Sequence, residues 1–284
     1  MSKSLINYTI VLIVFFLKVE GFAQNAWTKK AGETYLQLSY NTINNYSKLF
    51  SNDKNFADYS LQRKVSDNTL QAYSEYGITE KTTIIAAIPL KLVSSGDALV
   101  SSPTLSNGNL SGIGNITLGI RQSFYTDKFN IAGQLNVDTK TSSFDAKTGL
   151  NTGYDAWSFT PTISVGKGWN KFYLQGFTGV TLRTNDFNHS FKLGGEAGYK
   201  IVPSIWLIAF IDINAVLNDG SIVLPASNYL TGLYVNKQAF TAYGLKVIYE
   251  INKNFGVNFA FAGASAGNYV AESPSLNFGV YCKL

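Results

Sequence analysis

Beyond its first two dozen residues the chain repeats apolar positions with a period of two, in segments of about ten residues, and shows no helical period of useful length. The clearest segment runs from Gly114 to Tyr125, where Asn115, Thr117, Gly119 and Arg121 alternate with Ile116, Leu118 and Ile120. Further segments follow the same rule: Glu33 to Ile43, Asn68 to Ile78, Thr82 to Val93, Phe129 to Asp138, Trp157 to Lys167 and Phe172 to Arg183. Ser190 to Ile201, Ile205 to Ala215, Gln238 to Glu250, Phe255 to Gly263 and Asn277 to Leu284 complete the series. A tilted strand crosses a bilayer in about 9 to 11 residues, and each segment is of that order. Ile201 to Leu217 also reads as an apolar helix, but Pro203, Asp212 and Asn214 interrupt it and β-branched residues are frequent, so a strand is expected. Pro89 has no N–H for a ladder and predicts a local bulge in the third segment.

The connections alternate in length. Thr79 to Lys81, Thr126 to Lys128, Gly168 to Lys171, Val202 to Ser204 and Asn252 to Asn254 are short. Mostly longer ones lie between: Asn44 to Asp67, Ser94 to Ile113, Thr139 to Ala156, Thr184 to His189, Val216 to Lys237 and Ala264 to Pro274. Loop length segregated by side predicts an all-β chain: a transmembrane antiparallel β-barrel of about twelve strands, with short periplasmic turns and longer extracellular loops. Lipid offers no hydrogen bonds, so the sheet must close and the first strand must pair with the twelfth.

Composition agrees. Charged residues make up 14% of the chain, against about 25% in soluble domains. Lys3 precedes an apolar run from Ile10 to Leu17, and small residues stand at Gly21 and Ala23. Residues 1–23 therefore read as a cleaved secretory signal and residues 24–284 as the barrel domain. The net charge of +5 is scattered, which does not support nucleic-acid binding, and the single Cys282 rules out an intrachain disulfide framework. No metal-ligand spacing or phosphate-binding motif appears, and no cofactor is expected.

In such a barrel the apolar faces meet lipid and the polar faces line the lumen. Glu75, Arg121, Asp138, Arg183, Lys192, Glu196, Lys200, Asp212, Lys246 and Glu250 are the lumen-lining candidates. Their mixed sign argues against strong ion selectivity, and pairing across the lumen is as good a reading as solute contact. Tyr125, Phe129, Trp169, Phe172, Tyr199, Trp206, Tyr249 and Phe255 lie near the short turns and would form the periplasmic aromatic girdle. Twelve strands fall between the roughly eight that side chains can fill and the roughly 16 to 18 of open porins, so a narrow or partly occluded channel is expected.

The last strand ends in Asn277, Gly279, Cys282 and Leu284, a spacing that resembles the C-terminal signal by which bacterial outer-membrane barrels are recognised for insertion. Leu284 stands where that signal usually has an aromatic residue. The implied partners are the barrel assembly machinery, outer-membrane lipid and lipopolysaccharide. Gly112-Ile113-Gly114-Asn115-Ile116-Thr117-Leu118-Gly119-Ile120-Arg121 resembles the glycine-flanked strand entry of the outer-membrane transporters of the phenol-degradation MetA-pathway family, with Asn115 where Asp is common. The resemblance implies a bacterial outer-membrane channel for passive uptake of small solutes of hydrophobic or aromatic character. In the similar long-chain fatty-acid transporters an N-terminal hatch fills the lumen. Here Asn25 to Gly32 are too few residues for a plug, and Val216 to Lys237, with its apolar Ile222-Val223-Leu224, is the loop best placed to fold inward.

An enzyme is the main alternative, since outer-membrane phospholipase A is also a twelve-stranded barrel. It needs a Ser and a His on one strand face. The only His is His189; the residues two positions away are Phe187 and Phe191, and Ser190 falls on the opposite face, so no catalytic residues are assigned. A structural or adhesive surface barrel is the third reading.

Overall fold

The computed structural model describes residues 26–51 and 58–284, so the expected signal segment 1–23 lies outside the described residues. Twelve strands form the barrel. They are β1 (Thr34–Phe50), β2 (Asp58–Thr79), β3 (Thr82–Ala98), β4 in two pieces (Gly108–Ile113 and Thr117–Thr126), β5 (Asn130–Asp138) and β6 (Ser158–Gly168). The series continues with β7 (Phe172–Arg183), β8 (Ser190–Val202), β9 (Ile205–Val216), β10 (Ala239–Glu250), β11 (Phe255–Asn268) and β12 (Ser275–Lys283). Each pairs antiparallel with its chain neighbour, and β12 pairs with β1 from Tyr35↔Lys283 to Thr42↔Leu276, which closes the ring. The seam is finished by Thr34 N–H donating to Leu284 O at 2.9 Å and Leu284 N–H donating to Thr34 O at 2.8 Å.

The period of two now has a physical meaning. Outward residues such as Leu38, Ile88, Leu118, Leu174, Leu245 and Val280 are each between 47% and 54% exposed, a belt that only a bilayer would cover. Their neighbours in sequence, among them Ser39, Gln134, Ser164, Gln175 and Lys246, are buried within the ring. The chain is thus polar inside and apolar outside, as lipid demands.

Strands run beyond the expected segments at several ends, β3 reaching Ala98, β4 starting at Gly108 and β11 reaching Asn268, and two further differences matter more. Asn44 to Asp67 reads in the sequence as a connection, yet β1 runs to Phe50 and β2 begins at Asp58, so most of it is a hairpin continuing above the belt. Its ladder survives a register shift between Ile43 and Tyr46, where Asn45 takes a φ of 50°, and its inner face carries buried Tyr46, Leu49, Leu61 and Val65. Packing on that inner face overrides the polar composition. The expected irregularity at Pro89 appears in the partner strand. Ala87 pairs with Thr117 and Leu90 with Ile113, so Gly114, Asn115 and Ile116 face only Ile88 and Pro89 and break β4 in two. Asn115 fastens this detour: its Nδ2 donates to Thr139 O at 2.6 Å and Tyr154 O at 2.8 Å, and its Oδ1 accepts Tyr154 N–H at 2.7 Å. An Asp there could not donate, which explains why the amide serves this chain.

Candidate functional site: the lumen

At the short-turn end the lumen is knitted by charge. Arg121, fully buried on β4, donates from Nη2 to Glu75 Oε1 at 3.0 Å and from Nε to Gln134 Oε1 at 2.8 Å. The residues preceding β1 enter beside this pair. Arg121 Nη1 donates to Trp27 O at 3.0 Å, Lys29 Nζ lies 3.4 Å from Glu75 Oε2, and Lys29 N–H donates to Thr83 Oγ1 at 2.8 Å. Ala26 N–H donates to Gln175 Oε1 at 3.2 Å, across the lumen on β7. The expectation of too few residues for a hatch did not foresee that residues 26–29 would lie inside the ring against its wall. A hatch domain needs many residues, but an extended strip with two or three anchoring groups does not.

Two more ion pairs lie on the opposite wall. Lys246 Nζ is 3.2 Å from Glu196 Oε2, and Glu196 Oε1 also accepts Tyr173 O–H at 2.7 Å and Gln175 Nε2–H at 2.8 Å. Lys200 Nζ is 2.9 Å from Glu250 Oε2. Between them an inward aromatic cluster of Tyr35, Tyr73, Tyr173, Tyr281, Trp27 and Trp206 surrounds Ile208 and Ile248. The expectation that Trp206 belongs to the lipid-facing girdle is wrong. It shares parity with Ile208, Phe210 and Asp212, is buried, and holds Lys200 Nζ 5.2 Å from its ring centroid. The other girdle candidates, Tyr125, Phe129, Trp169, Phe172, Tyr199, Tyr249 and Phe255, are exposed.

The long-loop end is closed by different chemistry. The β9–β10 connection folds inward, as expected of Val216 to Lys237, but its Val223 is 93% exposed and the apolar run Ile222-Val223-Leu224 is not what enters. The buried part is later: Asn228 on a one-turn helix, α1 (Ala226–Tyr229), then Thr231, Leu233 and Val235. Leu233 packs with Tyr46, Leu49, Leu61, Val65, Val93 and Leu150, the last from a small hairpin (Phe144–Asp145 with Leu150–Asn151) in the β5–β6 connection. Neutral hydrogen bonds tie the two loops together. Thr231 Oγ1 donates to Gly149 O at 2.8 Å, Tyr46 O–H donates to Thr231 O at 2.9 Å, and Tyr154 O–H donates to Gln238 Oε1 at 2.7 Å. Burial raises the Tyr154 phenol above its ordinary value, which keeps it protonated as a donor.

Between the two ends lie chambers of about 370, 330 and 210 Å³. The first is walled by Phe177, Phe210, Asp212, Glu196 and Lys246; Arg183 and Lys192 border both others, and Asp138 borders the smallest. All the lumen candidates thus lie inside the ring, but they divide. Glu75, Arg121, Glu196, Lys246, Lys200 and Glu250 are in ion pairs. Asp138, Arg183, Lys192 and Asp212 border the chambers without an ion-pair partner within 4.0 Å among the described residues. The sequence reading missed Lys29 and also Lys91, whose Nζ lies 2.5 Å from Asp67 Oδ1 and donates to Thr69 Oγ1 at 2.8 Å. Lys91 shares parity with inward Ile85 and Ala87, and that signal was available.

The remaining assigned residues behave structurally. Asn277, Gly279 and Cys282 pair with Asn41, Ser39 and Leu36 of β1, and Leu284 caps the seam. His189 Nδ1 accepts the Arg183 backbone N–H at 3.2 Å, and its own N–H is held by the Asn218 side chain.

A family model described as "Putative MetA-pathway of phenol degradation" matches residues 32–277. Among solved structures, the COG4313 outer membrane channel from Pseudomonas putida F1 superposes with a TM-score of 0.72 at 14% identity, covering 93% of this chain and 100% of that one. The translocator domain of the autotransporter NalP from Neisseria meningitidis gives 0.52 at 11% identity, over 90% and 89%. The KdgM porin gives 0.50 at 7%, over 87% and 98%. No curated protein matches the chain. At these identities the likeness establishes the outer-membrane β-barrel fold.

Proposed function

This chain belongs to the family described as "Putative MetA-pathway of phenol degradation", and on that premise we propose that it is an outer-membrane channel for passive uptake of small solutes with hydrophobic or aromatic bodies. The observation that carries the reading is the lining of the central chamber. Porin interiors are polar and water-filled, whereas here Phe177 and Phe210 turn their rings inward over a chamber of about 370 Å³. That volume suits a single-ring molecule better than an oligosaccharide. The aromatic cluster beneath it continues the same kind of surface toward the short-turn end.

Passage then requires the strip before β1 or the inward loops to move, and the channel conducts hydrophilic solutes poorly at rest. The reading gives His189 no catalytic part, and it takes the final strand as the segment the assembly machinery engages. The test is flux into liposomes carrying the purified protein, comparing benzyl alcohol with glycerol, alongside conductance in planar bilayers. Protein-dependent, saturable entry of benzyl alcohol with small ionic conductance is expected. No protein-dependent flux of either solute would overturn the proposal.

A further inference from the structure

The two rims of the barrel treat their lysines differently. At the long-loop rim Lys48, Lys64, Lys140 and Lys237 each lie within 3.6 Å of an aspartate carboxylate of the same chain. At the short-turn rim Lys128, Lys167 and Lys171 are exposed and have no ion-pair partner within 4.0 Å among the described residues. These three share one sector, because Lys128 immediately precedes β5, Lys167 ends β6, Lys171 opens β7, and the three strands are neighbours in the sheet.

The outward row of β6 runs Phe159, Pro161, Ile163, Val165 and ends in Lys167, each exposed between buried neighbours. The Lys167 ammonium lies 5.3 Å from the Trp169 ring centroid, and Trp169 packs on Phe172 at 5.4 Å. Next to Lys128, Tyr125 and Phe129 pack at 5.0 Å. Exposed aromatics of this kind sit at the depth of the lipid headgroups, which puts the three lysines at the height of the phosphates. The carboxylate in the sector is Asp127, which accepts the Tyr125 hydroxyl at 3.3 Å. On the adjoining β8, Lys200 is neutralised by Glu250 at 2.9 Å and bounds the patch. Adjacent strands lie about 4.7 to 4.9 Å apart, so the patch is roughly 10 Å wide, and flexible four-carbon stems let its ammonium groups converge on one phosphate. The short turns of an outer-membrane barrel face the periplasm, where the leaflet is phospholipid and not lipopolysaccharide.

We propose that the β5–β7 sector of the short-turn rim docks an anionic phospholipid of the periplasmic leaflet, with its phosphate on Lys167 and Lys171, Lys128 beside them, and its acyl chains along the exposed Phe129, Trp169 and Phe172 rings. A zwitterionic lipid such as phosphatidylcholine fits less well, because its own ammonium meets like charge. The site lies on the outer wall and is independent of what the lumen passes.

Titration of the purified full chain in detergent with phosphatidylglycerol or phosphatidylcholine of the same acyl chains, with bound lipid counted by native mass spectrometry, tests the site. Each lysine on the phosphate should add about fivefold in affinity, so phosphatidylglycerol is expected to bind at least about tenfold more tightly. The double variant Lys167→Gln/Lys171→Gln should bring the two lipids close to equality, Lys167→Arg should keep the preference, and Lys64→Gln at the long-loop rim should leave it as in the parent. Equal binding of the two lipids by the parent overturns the site, as does an unchanged preference in double-variant protein of normal heat-modifiable mobility. A loss in Lys64→Gln as large as in the double variant also overturns it, because the attraction would then belong to the net charge of the whole chain.

Discussion

The two ends of the lumen are filled by opposite means. At the short turns, Arg121, Glu75 and Lys29 form a buried ionic knot that fastens the residues before β1. At the long loops, Leu233 and Leu150 join an apolar cluster, and the hydrogen bonds that seat the inward loop are between neutral groups, the neighbouring Lys91–Asp67 pair belonging to the strand wall. A buried ionic group must keep every partner or leave a charge stranded, whereas an apolar cluster loses contacts piecemeal and can repack. The ionic end behaves as a fixed floor, and the loop end is the more adaptable closure.

The severest challenge to that contrast is Arg121→Ala, which leaves buried Glu75 with Lys29 and the Tyr73 hydroxyl and strips Gln134 and Trp27 O of their shared donor. A loss of about 3 to 5 kcal/mol is expected, read as a lower temperature for loss of the fast-migrating folded band. A shift no larger than that of a surface Lys variant would refute the floor. Leu150→Ala should remove about 2 to 4 kcal/mol from the cap alone, making the Val216 to Lys237 connection protease-sensitive while the barrel band melts normally. If the barrel melts with it, the ends are one cooperative unit. Gly149 has a φ of 69°, and a Cβ added there would lie only 2.2 Å from Ser227 O, so Gly149→Val should push the two loops apart and raise ionic conductance. The mildest change is Tyr46→Phe, which removes the hydrogen bond to Thr231 O. About 1 kcal/mol is expected, visible as faster hydrogen exchange in the β9–β10 connection with an unchanged β1–β12 seam.

Most of the wall is legible in the sequence because lipid imposes a two-residue period on every strand and the turns sort by length. Legibility ends where residues are judged by something other than that period. Closeness to Pro203 suggests the girdle for Trp206, although parity with Asp212 puts it inside. Lys29 precedes the first strand and carries no periodic signal, so only its contact with Glu75, far along the chain, reveals its place. In the β9–β10 connection the apolar run draws attention while Asn228 and Thr231, polar and buried, make the contacts that seat the loop. Loop packing is decided by non-local partners, and composition does not report them.

The seam between Thr34 and Leu284 has a temporal side. It joins the two ends of the barrel domain, whereas every other strand pair links neighbours along the chain. Closing so long a loop carries the largest entropic penalty of any pairing in the molecule, and the reward comes only once both edges exist. Pairing of the ten intervening strands shortens the path between the two edges, so the seam is the contact that gains most from a sheet already built.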